Sequence, residues 1–147
     1  MAGTIASVFS LTLEGSSKTS DLVKQGKYDW SDDLIIDERF PIQEHAPLDR
    51  DIELFEFDHD PSDGEVLEEL KRRGLERPTY EDALYFGIKY PEEQRKRPIV
   101  FLHEPVRDPR GGLGVLVLGG LAGLRYLRLD WLGDRWDRDY VFAGVRK

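Results

Sequence analysis

The sequence predicts an α+β fold, a mainly antiparallel sheet ending in a C-terminal meander and covered on one face by two or three short helices. Three observations predict it. Two helix starts are written out, at Ser62-Asp63-Gly64-Glu65 and at Thr79, each followed by apolar residues at helical spacing. After Pro98 the apolar and β-branched stretches shorten to strand length. Two of those stretches are separated only by Gly119-Gly120, a hairpin signal.

Each element has its own warrant. Ile5, Phe9, Leu11 and Leu13 share one side of a strand at period two, with Ser10 and Thr12 opposite. A short helix follows from about Lys18 to Gln25, capped by Ser17, burying Leu22 and Val23 and ending on Gly26 as the left-handed residue. Residues 27–48 show no period and read as an irregular segment pinned by Tyr28, Trp30, Ile35 and Phe40. Such a length without regular structure marks a functional loop or a mis-assigned element. Asp51 to Phe57 is a second strand. The helix opened by Ser62 runs to about Arg73, presents Val66, Leu67 and Leu70, and stops at Gly74. Thr79 caps a helix through Lys89, and Pro91 can open one more turn through Arg95. Ile99–Leu102, Val115–Leu118 and Leu121–Leu129 are strands. Arg125–Trp131 and Tyr140–Arg146 read as a closing antiparallel pair joined by the polar turn at 133–139.

Length and composition place the chain as one domain, residues 1–147, with one core. Apolar residues make up 39% and charged residues 34%, the profile of a globular protein. There is no cysteine, which excludes disulfides, thiolate metal sites and a cysteine nucleophile. The N-terminus lacks the pattern of a signal peptide, and together with the missing cysteines this places the protein as soluble in the cytoplasm. The longest apolar stretch, 111–124, contains six glycines and is too short to span a bilayer, so no membrane partner is expected. The net charge of −8 is uneven. Residues 106–147 hold eight basic and five acidic residues, whereas the preceding 105 hold thirteen basic and twenty-four acidic, which disfavours nucleic acid.

No motif carries catalysis. Asp58, Asp60, Ser62 and Glu69 fall at positions one, three, five and twelve of a calcium loop of the EF-hand type. However, Asp63 stands where glycine must turn the chain, and a capping box accounts for the same residues. His45, His59 and His103 lack metal-ligand spacing, and no serine sits in a nucleophile elbow. The glycine clusters at 111–114 and 119–123 lack the helix and lysine of a phosphate loop. Acid pairs such as Asp32-Asp33, Glu68-Glu69 and Glu92-Glu93 read as solvated faces, though a hydrolytic pair converging across a cleft stays open. No catalytic, cofactor-binding or metal residue is therefore assigned.

Aromatics are more informative. Tyr28, Asp29 and Trp30 share one loop; Trp131, Asp134, Arg135, Trp136, Asp137 and Arg138 cluster near the last turn. Rigid indoles beside carboxylates and guanidinium groups suit a protein surface, a peptide or a sugar. The plain alternative is that they anchor loops to the core. Arg125, Tyr126 and Arg128, with Arg135 and Trp136, also allow stacking on a single strand of nucleic acid, against the acidity of the rest.

Three stretches, Gly26-Lys27-Tyr28-Asp29-Trp30, Pro98 to Leu102 and Tyr140 to Lys147, resemble a poorly characterised group of small bacterial proteins. No activity is attached to that group. The tryptophan-rich turn and the Phe142-x-x-Val145-Arg146 ending also resemble the end of C-type-lectin-like domains, without their cysteines or calcium triplets. The expected function is a non-enzymatic binding or protein-interaction domain, contacting a protein partner or a second copy through Tyr28, Trp30, Trp131, Arg135, Trp136 and Arg138. A carbohydrate or small-ligand module and a small hydrolase with an acid pair are the alternatives.

Overall fold

The structure, a computed structural model, describes residues 2–147, with side chains from Ser7 onward. Its elements are β1 (Ala2–Leu13), α1 (Thr19–Gly26), β2 (Trp30–Ser31), β3 (Leu48–Phe57), α2 (Asp63–Arg72), β4 (Leu75–Glu76), α3 (Tyr80–Lys89), α4 (Glu93–Lys96), β5 (Ile99–Val100), β6 (Val106–Arg107), β7 (Leu113–Leu121), β8 (Leu124–Trp131) and β9 (Val141–Arg146). Among the described residues all nine strands join one sheet in the order β1-β3-β9-β5-β7-β8-β2, with β4 added to β9 and β6 to β7.

The α+β class holds, but two expectations are corrected. The sheet is mixed rather than mainly antiparallel, because β5 runs parallel to β9 and β2 parallel to β8; and four helices are formed among the described residues. The closing strand does not pair with β8. It inserts antiparallel to β3, at the centre of the sheet. The reason is its composition: Val141, Phe142, Ala143 and Val145 are all buried, so both faces are apolar, which suits a strand covered on both sides.

Helices cover both faces, not one. Along β5, β7 and β9, neighbouring residues alternate between two apolar clusters. Ile99, Leu116, Leu118 and Ala143 pack with Leu22 of α1 and with Leu84 and Phe86 of α3. Val100, Val115, Val117 and Phe142 pack with Val66 and Leu70 of α2 and with Trp136. Successive side chains of a strand point to opposite faces, so one sheet separates two apolar layers.

The β7–β8 hairpin turns at Ala122-Gly123, both at positive φ, and not at Gly119-Gly120, which pair with Tyr126 and Arg125 inside the sheet. The Ser62 capping box forms as expected. Ser62 Oγ accepts from Glu65 N at 3.2 Å while Glu65 Oε1 accepts from Ser62 N at 3.1 Å. Thr79 and Asp82 do the same for α3. Asp82 is fully buried and also takes both the Nε and an Nη of Arg50 at 3.0 Å, which ties α3 to β3. Gly74 adopts the left-handed conformation after α2, with φ +69. α1 departs from expectation at both ends. Its N-cap is Lys18, and the left-handed residue is Lys27, with φ 51, not Gly26. Gly26 is needed for space instead, since a Cβ there would lie 2.3 Å from the Tyr28 ring. On β1, Phe9, Leu11 and Leu13 are buried and Ser10 and Thr12 exposed; the side chain of Ile5 lies outside the described residues. The irregular segment after α1 is pinned by Ile35 and Phe40, both buried, but not by Trp30.

Candidate functional site at the end of strand β8

Strand β8 has two different ends. At its start, Arg125 is only 4% exposed and faces no carboxylate side chain with its guanidinium. Its Nε donates to Pro91 O at 3.0 Å, and its Nη atoms donate to Gly26 O at 2.6 Å, to Gly87 O at 2.7 Å and to Gln94 Oε1 at 3.1 Å. These carbonyls lie at or near the C-terminal ends of α1 and α3, where unpaired oxygens and the negative end of the helix dipole favour a cation. The same guanidinium lies 4.7 Å from the centre of the Tyr28 ring. Burial pushes the Tyr28 hydroxyl up to about 12, with Arg125 pulling the other way.

At its far end, β8 meets the segment 132–140, which crosses the sheet to reach β9. This segment is clamped to Asp60 and to the first turn of α2. Trp136 Nε1 donates to Asp63 Oδ1 at 2.7 Å and Gly133 N to Asp63 Oδ2 at 3.1 Å. Arg135 donates to Glu65 Oε1 at 2.9 Å, and Arg138 donates through N and Nε to Asp60 Oδ1 at 3.0 and 3.1 Å. Of the acids at calcium-loop positions, Asp60 thus serves as an acceptor for the loop that follows β8, whereas Asp58 faces His59 and Glu69 takes Arg72 and Arg73. Among the described residues no group of three or more histidine and acidic side chains is placed to hold a metal.

The clamp leaves a cleft of about 410 Å³ between the Leu129–Trp131 end of β8 and the loop. Asp130, Asp134 and Asp137 border it, with Trp131, Trp136 and Tyr140 supplying aromatic surface. Asp130 accepts from Arg128 at 2.8 Å, and Arg128 also donates to Tyr140 Oη at 3.1 Å. The Asp137 carboxylate accepts the backbone N of Asp139 at 2.8 Å, and neither Asp134 nor Asp137 joins an ion pair among the described residues. The neighbouring cations Arg135 and Arg138 point away, toward Glu65 and Asp60. The result is an acidic, aromatic rim.

The six residues expected to form one contact surface are divided among three places. Trp131, 44% exposed, lies on the cleft. Trp30, 51% exposed, meets Tyr126 edge-on at 6.1 Å, at the other end of β8. It shares a face with Tyr126, whereas Trp131 projects on the opposite face, five residues along an alternating strand. Tyr28 is packed beneath Arg125. Trp136 is 6% exposed and belongs to the core, its ring 6.3 Å from Phe142, so its place in the contact surface is withdrawn. Arg135 and Arg138 hold the loop in place. The stacking surface for nucleic acid loses its basis as well, because Arg125 and Trp136 are buried. Sequence reading missed Tyr140 and Asp130 as cleft residues; nothing local signals them, since the crossing loop alone brings them together.

A second, wider groove of about 690 Å³ lies along α2, lined by Phe57, His59, Ser62, Glu65 and others. Asp58, His59 and Ser62 invite comparison with a nucleophilic triad. His59 Nδ1 lies 3.0 Å from Asp58 Oδ1 and Nε2 lies 2.6 Å from Glu65 Oε2. Both nitrogens therefore face carboxylates, and none is left to activate Ser62. Donation to Asp58 first, then to Glu65, raises the His59 pKa. His59 in turn lowers Asp58 and Glu65 to about 2 each. His103 is buried, accepts from Leu116 N at 2.9 Å through Nε2 and lies 2.7 Å from Glu104 O through Nδ1; burial lowers its pKa to about 4. It acts as a neutral acceptor in the sheet.

No family model matches this chain, and no curated protein or solved structure matches it either. No helix among the described residues is long and apolar enough to cross a membrane.

Proposed function

We propose that this protein is a non-catalytic binding domain that contacts another protein through the cleft at the end of β8, in a reducing, cytoplasmic setting. The observation that carries the reading is a cleft lined by Trp131, 44% exposed, and by Asp134 and Asp137, neither of which joins an ion pair among the described residues. A rigid indole with nearby unpaired charge binds with little loss of conformational freedom and favours a partner of opposite sign. Asp130 is set in advance by Arg128, which is itself held by Tyr140 Oη.

The test is a photo-crosslinking amino acid placed at Trp131 in the native cell, with the same substitution at Ser10 on the far edge of the sheet as control. A discrete crosslinked protein, identified by mass spectrometry, is expected at position 131 only. Equal crosslinking from both positions, or none from position 131, overturns the reading. If a soluble oligosaccharide quenches Trp131 fluorescence and displaces the crosslink, the sugar-binding alternative replaces it.

A further inference from the structure

Backbone parity shows that the cleft is also a sheet edge. Leu132 N donates to Leu113 O at 2.9 Å, so the even-numbered residues of this strand turn their amides toward β7. The odd-numbered residues turn theirs outward. Asp29 N donates to Arg125 O at 2.8 Å and Asp32 N to Leu127 O at 3.0 Å, which accounts for the edge as far as β2 reaches. β2 pairs with Tyr126 and Leu127 only. Beyond it, Leu129 and Trp131 present outward N–H and C=O groups that no described residue hydrogen-bonds, and both residues line the cleft. The other long edge is different: at Ser10 on β1 the carbonyl already accepts from Lys89 Nζ at 2.7 Å and Tyr90 Oη at 2.8 Å.

We propose that an extended, basic segment of a partner protein adds as a short strand to β8 at Leu129–Trp131, continuing the line of β2, with its lysine or arginine side chains meeting Asp134 and Asp137. Unpaired strand edges are templates for strand addition, with main-chain bonds supplying affinity and side-chain pockets supplying choice. Charge selects the occupant. Asp134 and Asp137 join no ion pair among the described residues, while the nearby Arg135 and Arg138 are bonded to Glu65 and Asp60, so a basic strand would gain partners here that an acidic one would not. The inference rests on reading this cleft as the contact site.

The experiment uses the isotopically labelled full chain with a synthetic peptide of alternating lysine and valine, and a glutamate-for-lysine version as control. Amide exchange at Leu129 and Trp131 is expected to slow at least about tenfold on adding the lysine peptide, and not with the glutamate peptide. Trp131→Ala removes the indole but keeps the donor, whereas Trp131→Pro removes both; the proline variant should bind at least about fivefold more weakly than the alanine one. If the lysine peptide binds in a manner that Asp134→Asn with Asp137→Asn abolishes while both amides exchange as before, strand addition is overturned and the cleft reading survives. Equal binding of the two peptides, or no binding of either, also overturns strand addition. Loss of the Trp131 crosslink in the cell is what overturns the cleft itself.

Discussion

The two ends of β8 solve the same problem differently. At Arg125 every outward backbone group meets β2 or Asp29, and a buried cation ties up the carbonyls left over by two helices. At Trp131 the edge stops being covered, the residue is half exposed, and Asp134 and Asp137 on the same cleft join no ion pair among the described residues. Along one strand, then, full satisfaction of polar groups accompanies burial, and incomplete satisfaction accompanies a surface open to a partner. The Gly26-to-Trp30 stretch belongs to the closed end: Gly26 makes room for Tyr28, Tyr28 lies against Arg125, and Asp29 Oδ2 accepts from Arg125 N at 2.7 Å.

The comparison breaks first at Arg125. Arg125→Met should destabilise the fold by about 4 kcal/mol, since it strands several buried carbonyls whose charged donor is removed. A chemical denaturation midpoint close to that of the parent chain would show that the closed end is not held by this cation. Trp136→Ala comes next, at about 3 kcal/mol, because a buried indole bonded to Asp63 leaves a cavity and an unpaired acceptor. A loss under about 1 kcal/mol would return Trp136 to the surface, where such changes are small.

Acid sharpens the contrast between buried and exposed imidazoles. His103 stays neutral in the fold down to about pH 4, whereas an unfolded histidine takes a proton near 6.5. Its contribution is therefore complete above about pH 6.5 and is lost as pH falls toward 4, amounting to about 3 kcal/mol over that window. His59, whose pKa is raised by Asp58 and Glu65, has the opposite sign: its contribution is present below about pH 6.5 and fades as pH rises through the raised value. His103→Gln should flatten the fall in stability between pH 6.5 and 4, measured by denaturation at each pH, and an unchanged slope would assign that fall to other groups. The smallest effect is expected at the open end. Trp131→Ala should alter stability by no more than about 0.5 kcal/mol while weakening binding of the lysine peptide described above.

Local chemistry was readable in the residues themselves. The Ser62 capping box, the Thr79 cap, the left-handed Gly74 and the alternation of β1 depend on groups within a few positions of one another, so the sequence states them directly. The β7–β8 hairpin was legible as a hairpin but misplaced, since Ala122-Gly123 and not Gly119-Gly120 make its turn. The α1 terminus was misread because Gly26 satisfies two rules, left-handed freedom and close approach, and only the Tyr28 ring says which applies. The candidate site was half legible. Trp131, Asp134 and Asp137 were in view, but Trp136 was grouped with them although it serves the core.

What only the tertiary structure decided is where β9 goes and which indole remains outside. Both depend on partners far away in the chain: β9 pairs with β3 some ninety residues earlier, and Trp136 finds Asp63 seventy-three positions away. Apolar composition makes β9 a central strand in principle, yet the choice of neighbours is made by closing long loops. No window of sequence around Trp136 contains the carboxylate that draws its ring inward.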